Sequence, residues 1–291
     1  MNTHTRMQDI DGLTKTAPVS RRGFMTASAA TAAGFTLAAG PVRADVIKTD
    51  TMGLTAGEAK IAVPGGNMPV YFARPAGVAN PPVILVAMEI FGLHEHIRDV
   101  TRRLAKLGAF AVAPDYYFRK GDMTKVTDIK ELFPIVNTKA DTELFSDLDA
   151  TVAFARTQGG DTSRLGIIGF CRGGRTVWRY STHANLKAGV AFYGSLKDPA
   201  SEAMPLNALA SAKDVKEPVL GLYGEADQGI PADQVREMEA ALKAAGKTAE
   251  FKIYPGAPHG FHADYRESYR KEAAEDAWGL TTNWFKKYGV L

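Results

Sequence analysis

The chain has a single cysteine, Cys171, among 291 residues, so no disulfide can form within it. Strongly apolar stretches of membrane-spanning length are missing too. The charge-free run from Thr26 to Ala39 consists mostly of Ala and Thr with one Phe and one Leu, too short and too weakly apolar to hold a stable anchor in a bilayer. Most of the chain also lacks an excess of either charge. Of 35 basic and 32 acidic residues, five and two fall within the first 44, which leaves 30 of each in the remainder. That balance gives no electrostatic footprint for nucleic acid or an anionic membrane surface. There are no internal repeats, low-complexity linkers or blocks of like charge. After Asp45 the chain therefore reads as one domain, and a hydrophobic content of 45% is enough for one sizeable core.

The first 44 residues read as a targeting segment. Ser20-Arg21-Arg22-Gly23-Phe24-Met25 resembles the twin-arginine export motif, and the weakly apolar run follows it. Val42-Arg43-Ala44 then puts small residues at the −3 and −1 positions of a cleavage site. The expectation is export to the periplasm or beyond by the twin-arginine translocation machinery, with cleavage after Ala44. In an oxidising compartment an unpaired thiol calls for an explanation, and Cys171 is the residue to explain.

The mature portion alternates strand and helix patterns. Val70 to Ala73 reads as an early strand, and Val83 to Met88 as a strand buried on both faces. Ile97, Val100, Leu104 and Leu107 recur at helical spacing within His96 to Leu107. Ala109 to Ala113 is the next strand, and Pro114-Asp115 opens a long connection. Helices are expected over Thr142 to Thr157, Gly174 to about Thr182, Ala232 to Ala245 and Lys271 to Lys287. Further strands are expected over Leu165 to Ile168, Ala188 to Phe192, Val219 to Tyr223 and Glu250 to Tyr254. Strands separated by helices imply an α/β fold with a mostly parallel central sheet and helices on both faces. Chemistry in such sheets gathers in the loops leaving the C-terminal ends of the strands.

Three residues occupy such loops. Gly169-Phe170-Cys171-Arg172-Gly173-Gly174 joins a short apolar strand to a helix. A nucleophile on so tight a turn has a strained backbone, and the glycines let neighbouring chain approach without a Cβ clash. The helix N-terminus favours a thiolate and a developing oxyanion. Gly224-Glu225-Ala226-Asp227 follows another strand, and its position favours Asp227 over Glu225 as the acid that orients an imidazole. Pro258-His259-Gly260-Phe261 follows the last strand, so His259 is the expected base. The order nucleophile, acid, base is the one this topology requires. His94 and His96 form an H-x-H pair with no third ligand at suitable spacing, so no metal is expected.

In these motifs the chain resembles the dienelactone hydrolase (carboxymethylenebutenolidase) family of the α/β-hydrolase superfamily. The likeness covers nearly all of residues 55 to 290. It rests on Glu89-Ile90-Phe91-Gly92, Pro114-Asp115-Tyr116-Tyr117, Gly-Phe-Cys-Arg-Gly-Gly, Tyr193-Gly194, Gly-Glu-Ala-Asp and His-Gly-Phe. The resemblance implies that Glu89 contacts the cysteine and takes part in its activation. It also implies that the backbone N–H groups of Ile90 and Arg172 form the oxyanion hole, and that Arg119 is one of two arginines holding a substrate carboxylate. Phe261 and His262 are expected as further substrate contacts. At the second arginine position this chain has Ala263, with Arg266 three residues beyond.

The expected activity is hydrolysis of a small-molecule ester or lactone through a thioester at Cys171, with His259 and Asp227 completing the triad and no cofactor. Because Ala263 removes one cationic anchor, dienelactone itself is expected to be a weak substrate, and neutral or singly anchored esters and lactones are expected to compete well. The rival readings are a generalist carboxylesterase acting on small neutral esters, a non-catalytic binding protein, and a thiol redox sensor on the same fold. Turnover of an activated ester separates the first from the last two.

Overall fold

The computed structural model describes residues 46–126 and 128–291, and the expected leader, residues 1–44, lies outside them. Eight strands form one sheet. β1 (Leu54–Val63) and β2 (Gly66–Pro75) pair as an antiparallel hairpin, and β2 continues antiparallel onto β4 (Phe110–Pro114). All the remaining neighbours are parallel: β4 with β3 (Pro82–Ala87), β3 with β5 (Asp161–Phe170), then β6 (Ala188–Phe192), β7 (Val219–Gly224) and β8 (Ala249–Tyr254). The order across the sheet is β1-β2-β4-β3-β5-β6-β7-β8.

Every residue of β3, β4, β6 and β7 is buried. Successive side chains point to opposite faces, so both faces of the sheet must be covered. Helix α1 (Glu95–Lys106) packs on β2 and β4, turning Ile97, Val100 and Leu104 inward. After the short α2 (Ile129–Val136), α3 (Asp141–Thr157) lies against β3, β4 and β5. α4 (Arg172–Tyr180) packs on β5, β6 and β3. α5 (Ala232–Ala244) covers β7 and β8, and α6 (Lys271–Lys287) lies on β6 and β7.

Two elements go beyond the periodicity reading. β1 is an edge strand with most of its residues only partly buried, so it carries no continuous apolar run. α2 lies in the segment read as a connection; it spans eight residues and contains Pro134, which weakens the helical signal.

The topology selects where a ligand can bind. From β3 the chain runs to β4 on one side, and β5 then takes the other side of β3. The loops leaving β3 and β5 therefore diverge, opening a crevice at their C-terminal ends. Trp178 fixes the helix that flanks this crevice. Its Nε1–H donates to the Tyr223 hydroxyl at 2.9 Å, and that hydroxyl donates to the Gly194 carbonyl at 3.0 Å. The indole stacks on Phe251 with ring centres 5.5 Å apart. One buried side chain thus ties α4 to β7, β8 and the loop after β6. Trp178→Ala is expected to destabilise the fold by roughly 3–5 kcal/mol. Tyr223→Phe, which strands one buried donor and one carbonyl, is expected to cost about 1–3 kcal/mol. Urea denaturation of the two variants checks both values.

Candidate active site

Cys171 sits between β5 and α4 with φ +54° and ψ −116°, a conformation that non-glycine residues rarely adopt. The strain is held by backbone packed against backbone. A Cβ on Gly169 would lie 2.1 Å from the Gly173 carbonyl oxygen, and one on Gly173 would lie 2.0 Å from that of Ala87. Gly174 and Gly194 meet each other just as closely across the end of β6. The Cys171 N–H donates to the Phe192 carbonyl at 3.0 Å, pinning the turn to β6. Cys171 is therefore the N-cap of α4, where the first N–H groups have no earlier helical carbonyl to bond.

His259, in the loop after β8, turns its Nδ1 to Asp227 Oδ2 at 2.7 Å. Asp227, in the loop after β7, is buried, and its Oδ1 accepts from the N–H groups of Gly229 at 2.9 Å and Ile230 at 3.1 Å. Both carboxylate oxygens are thus held in place. Glu225 is exposed and accepts only from the Gly256 N–H. Burial alone would lower the pKa of His259. The adjacent Asp227 carboxylate, the Cys171 sulfur and hydrogen bonds to both outweigh it and hold the imidazole well above its usual range. Cys171, His259 and Asp227 line one cavity of about 180 Å³, as do Ile90 and Arg172.

Glu89 follows β3 but is buried among polar groups. Its Oε2 accepts from the Tyr265 hydroxyl at 2.8 Å and lies 3.2 Å from His94 Nε2. Arg266, also buried, donates from Nε to the same Tyr265 hydroxyl at 2.9 Å and lies 4.4 Å over the Phe91 ring. Burial would raise the Glu89 pKa, but the hydrogen bond with His94 and the Arg266 charge hold it well below the usual carboxylate range. His96 bonds a carboxylate of its own, Asp264, at 3.0 Å, and Asp264 also receives Arg103 at 2.8 Å. The two histidines of the H-x-H pair thus serve two different carboxylates, with their rings stacked 6.2 Å apart. Tyr265 is a partner that sequence reading missed, whereas Arg266, noted three residues beyond Ala263, is the arginine that bonds it.

The three residues expected to touch substrate do not line the cavity. Arg119 forks onto Asp147 at 2.8 and 2.9 Å, reaches Glu143 at 2.7 Å and donates to the Pro64 carbonyl, so its guanidinium serves the junction of α3 with the β1–β2 hairpin. His262 is buried between Phe170 and Trp278, with ring centres at 5.2 and 5.8 Å. Phe261 is fully buried against Tyr193 and Tyr254. In their place the cavity wall includes Phe133 and Val136 from α2, with Met204 and Ile230.

Two of these buried histidines make the fold acid-sensitive. Burial pushes His94 down to about 4 against the opposing pull of Glu89, and it pushes His262 well below the ordinary imidazole value. Unfolded histidines titrate near 6.5. Below that pH the unfolded chain binds protons that these two sites refuse, so stability falls as pH falls. The slope approaches about 1.4 kcal/mol per pH unit for each residue, and the His94 share levels off below about 4. The raised His259 adds no slope well below pH 6.5, because there the folded and the unfolded chain both hold its proton. Urea-unfolding free energies between pH 6.5 and 4.5 are expected to show this fall, and His262→Phe is expected to reduce its slope by up to about 1.4 kcal/mol per pH unit.

Comparison with known proteins agrees with this architecture. The family model of the dienelactone hydrolase family matches residues 68–289. A provisionally named carboxymethylenebutenolidase of Methylorubrum extorquens is 52% identical over 286 residues, covering 97% of this chain and 98% of that one. One from Escherichia coli K12, named in the same provisional way, is 45% identical over 259 residues, covering 88% and 96%. The crystal structure of a provisionally named dienelactone hydrolase from Klebsiella pneumoniae superposes with a TM-score of 0.79 at 47% identity, covering 81% of this chain and 99% of that one. With a parallel sheet, a strained turn after β5 and these relatives in agreement, the chain belongs to the dienelactone hydrolase family and is a hydrolase of the α/β-hydrolase superfamily.

Proposed function

We propose that the chain cleaves a carboxylic ester or lactone by acyl transfer through a thioester at Cys171. The observation that carries this reading is the Cys171 turn: a sulfur at a helix N-terminus, sharing one cavity with a histidine that is bonded to a buried aspartate. The Cys171 proton rests on His259, and the Cys171 thiolate adds to the substrate carbonyl to form the C–S bond. The backbone N–H groups of Ile90 and Arg172 receive the oxyanion, an interaction worth roughly a hundred- to a thousandfold in rate per donor. As the C–O bond breaks, imidazolium returns the proton to the leaving oxygen. Water then gives a proton to His259 and its oxygen to the acyl carbon, and the thiolate leaves. Asp227 fixes the tautomer of His259 throughout. Glu89 acts on this reading from behind the turn, through its charge and its bonds to His94 and Tyr265.

The relatives' name points to dienelactone as a substrate. A grip by two arginines does not fit this cavity, because Arg119 is engaged by Asp147 and position 263 is a buried alanine. Singly anchored esters and lactones fit better. Cys171→Ala is expected to lower kcat on an activated ester by at least a thousandfold with an unchanged unfolding midpoint. Rapid quench of the wild type with a slow ester is expected to show the mass of one acyl group on the Cys171 peptide. A folded Cys171→Ala protein with near wild-type turnover overturns the mechanism.

We also propose that the protein is exported by the twin-arginine route and cleaved after Ala44. The sequence motif carries this reading. Just beyond the proposed cleavage site the Ile47 N–H donates to Asp264 and the Thr49 N–H to Asp99, which would tie the mature chain to the domain close to its N-terminus. No helix among the described residues is long and apolar enough to cross a membrane. N-terminal sequencing of the periplasmic protein is expected to begin at Asp45. Replacing Arg21 and Arg22 by Lys is expected to leave the uncleaved chain in the cytoplasm.

A further inference from the structure

Along one face of α4 stand Arg172, Arg175 and Arg179, at helical spacings of three and four. Two carboxylates serve the three guanidinium groups. Asp141 holds Arg175 at 2.7 and 3.1 Å and Arg179 at 3.2 Å. Asp198 lies 2.8 Å from Arg175 Nε, in ion contact though misaligned for a hydrogen bond, and its Oδ1 also accepts from the Ser195 hydroxyl at 2.8 Å. For Arg172 the nearest carboxylate oxygen is that of Asp198 at 3.6 Å, beyond hydrogen-bond length. Its Nη2 donates instead to two neutral acceptors, Asn137 Oδ1 at 2.8 Å and Met204 Sδ at 2.9 Å. Three positive charges against two negative ones leave one positive charge over. The side chain that can present it to a ligand is Arg172, 13% exposed and lining the cavity beside Cys171, and not Arg175, 2% exposed behind it.

We propose that the Arg172 guanidinium is the receptor for a carboxylate on the substrate, so that this chain takes esters or lactones with an apolar body and a single carboxylate. The inference rests on Cys171 being the nucleophile and adds a side-chain function to the residue whose backbone N–H faces the oxyanion. An incoming carboxylate replaces an amide oxygen and a thioether with two parallel charge-assisted hydrogen bonds, a geometry the guanidinium fork matches and an ammonium does not. Of the other cationic groups lining the cavity, Lys197 is already paired with Glu237 and His259 with Asp227. The cavity wall also carries Ile90, Phe133, Val136 and Ile230, which suits a hydrocarbon body. Asp198 and Asp227 line the same cavity; Asp227 is bonded to His259, and Asp198, beside Arg172, is the charge set against a carboxylate arriving there.

The test measures kcat/KM for neutral 4-nitrophenyl pentanoate and for two probes carrying one carboxylate: mono-4-nitrophenyl adipate on the acyl side, and 3-carboxyphenyl pentanoate on the leaving-group side. The readout is the ratio of each carboxylated probe to the neutral ester within one protein, so changes in folding or in the oxyanion hole cancel. In Arg172→Gln the ratio for the better carboxylated probe is expected to fall roughly ten- to a hundredfold, as for loss of a charged hydrogen-bonding partner. Arg172→Lys is expected to recover only part of it. Asp198→Asn is expected to move the same ratio upward, a direction that damage to the fold does not produce. If Cys171→Ala abolishes turnover while both ratios stay unmoved in Arg172→Gln, the carboxylate receptor is overturned and the nucleophile stands. If Cys171→Ala keeps turnover, the nucleophile is overturned, and with it the inference built on it.

Discussion

Backbone lies directly against backbone where the first turn of α4 meets the ends of β3, β5 and β6. Gly169, Gly173, Gly174 and Gly194 leave no room for a Cβ on any of them, because each would sit within 2.5 Å of a main-chain atom. This close approach obliges Cys171 to take its positive φ, and that φ turns the sulfur off the sheet toward the crevice. The position of the helix N-terminus, the reach needed from His259 and the placement of Ile90 all follow from the same contact. Side chains farther out, such as Trp178 on Tyr223, keep the helix from relaxing away from it.

Behind this turn the molecule holds an unusual density of buried charge. Glu89, Arg266, Asp264, Arg103 and Asp99 form a chain of ionised groups linked by Tyr265, His94 and His96. Buried charges are tolerable only when each finds partners, and here almost every link is a hydrogen bond to the next group. The consequence is rigidity: the loop after β3 and the loop after β8 are cross-connected through Glu89 and Tyr265, so the two walls of the crevice are set relative to each other.

Local signals in the sequence carried most of the sheet. β3, β6 and β7 are short apolar runs flanked by turn residues, and α6 has the bounds its pattern predicts. Cys171, Asp227 and His259 were legible because each directly follows a recognisable strand. Two elements were not. β1 pairs on one side only and alternates poorly, and α2 contains a proline. Substrate contacts were the weakest part for a different reason. Whether Arg119 faces a ligand or Asp147 depends on how a loop after β4 lies across a helix 28 residues away, and no periodicity encodes that. His262 had the chemistry of a ligand-binding group, but Phe170 and Trp278 enclose it. Arg172 was singled out for its main-chain N–H, whereas its side chain turned out to line the cavity.

The solitude of Cys171 has a chemical consequence of its own. A sulfur that is partly solvent-accessible beside a histidine is open to peroxide once it is a thiolate. The first product, a sulfenic acid, is normally rescued by a neighbouring thiol that closes a disulfide, and this chain contains no second cysteine to do so. Oxidation at this position therefore has two exits: a small thiol arriving from solution, or further oxidation to the sulfinic acid, from which there is no simple return. If Cys171 is the nucleophile proposed above, the working life of each molecule is then set by the ratio of peroxide to free thiol around it, as much as by the stability of the fold.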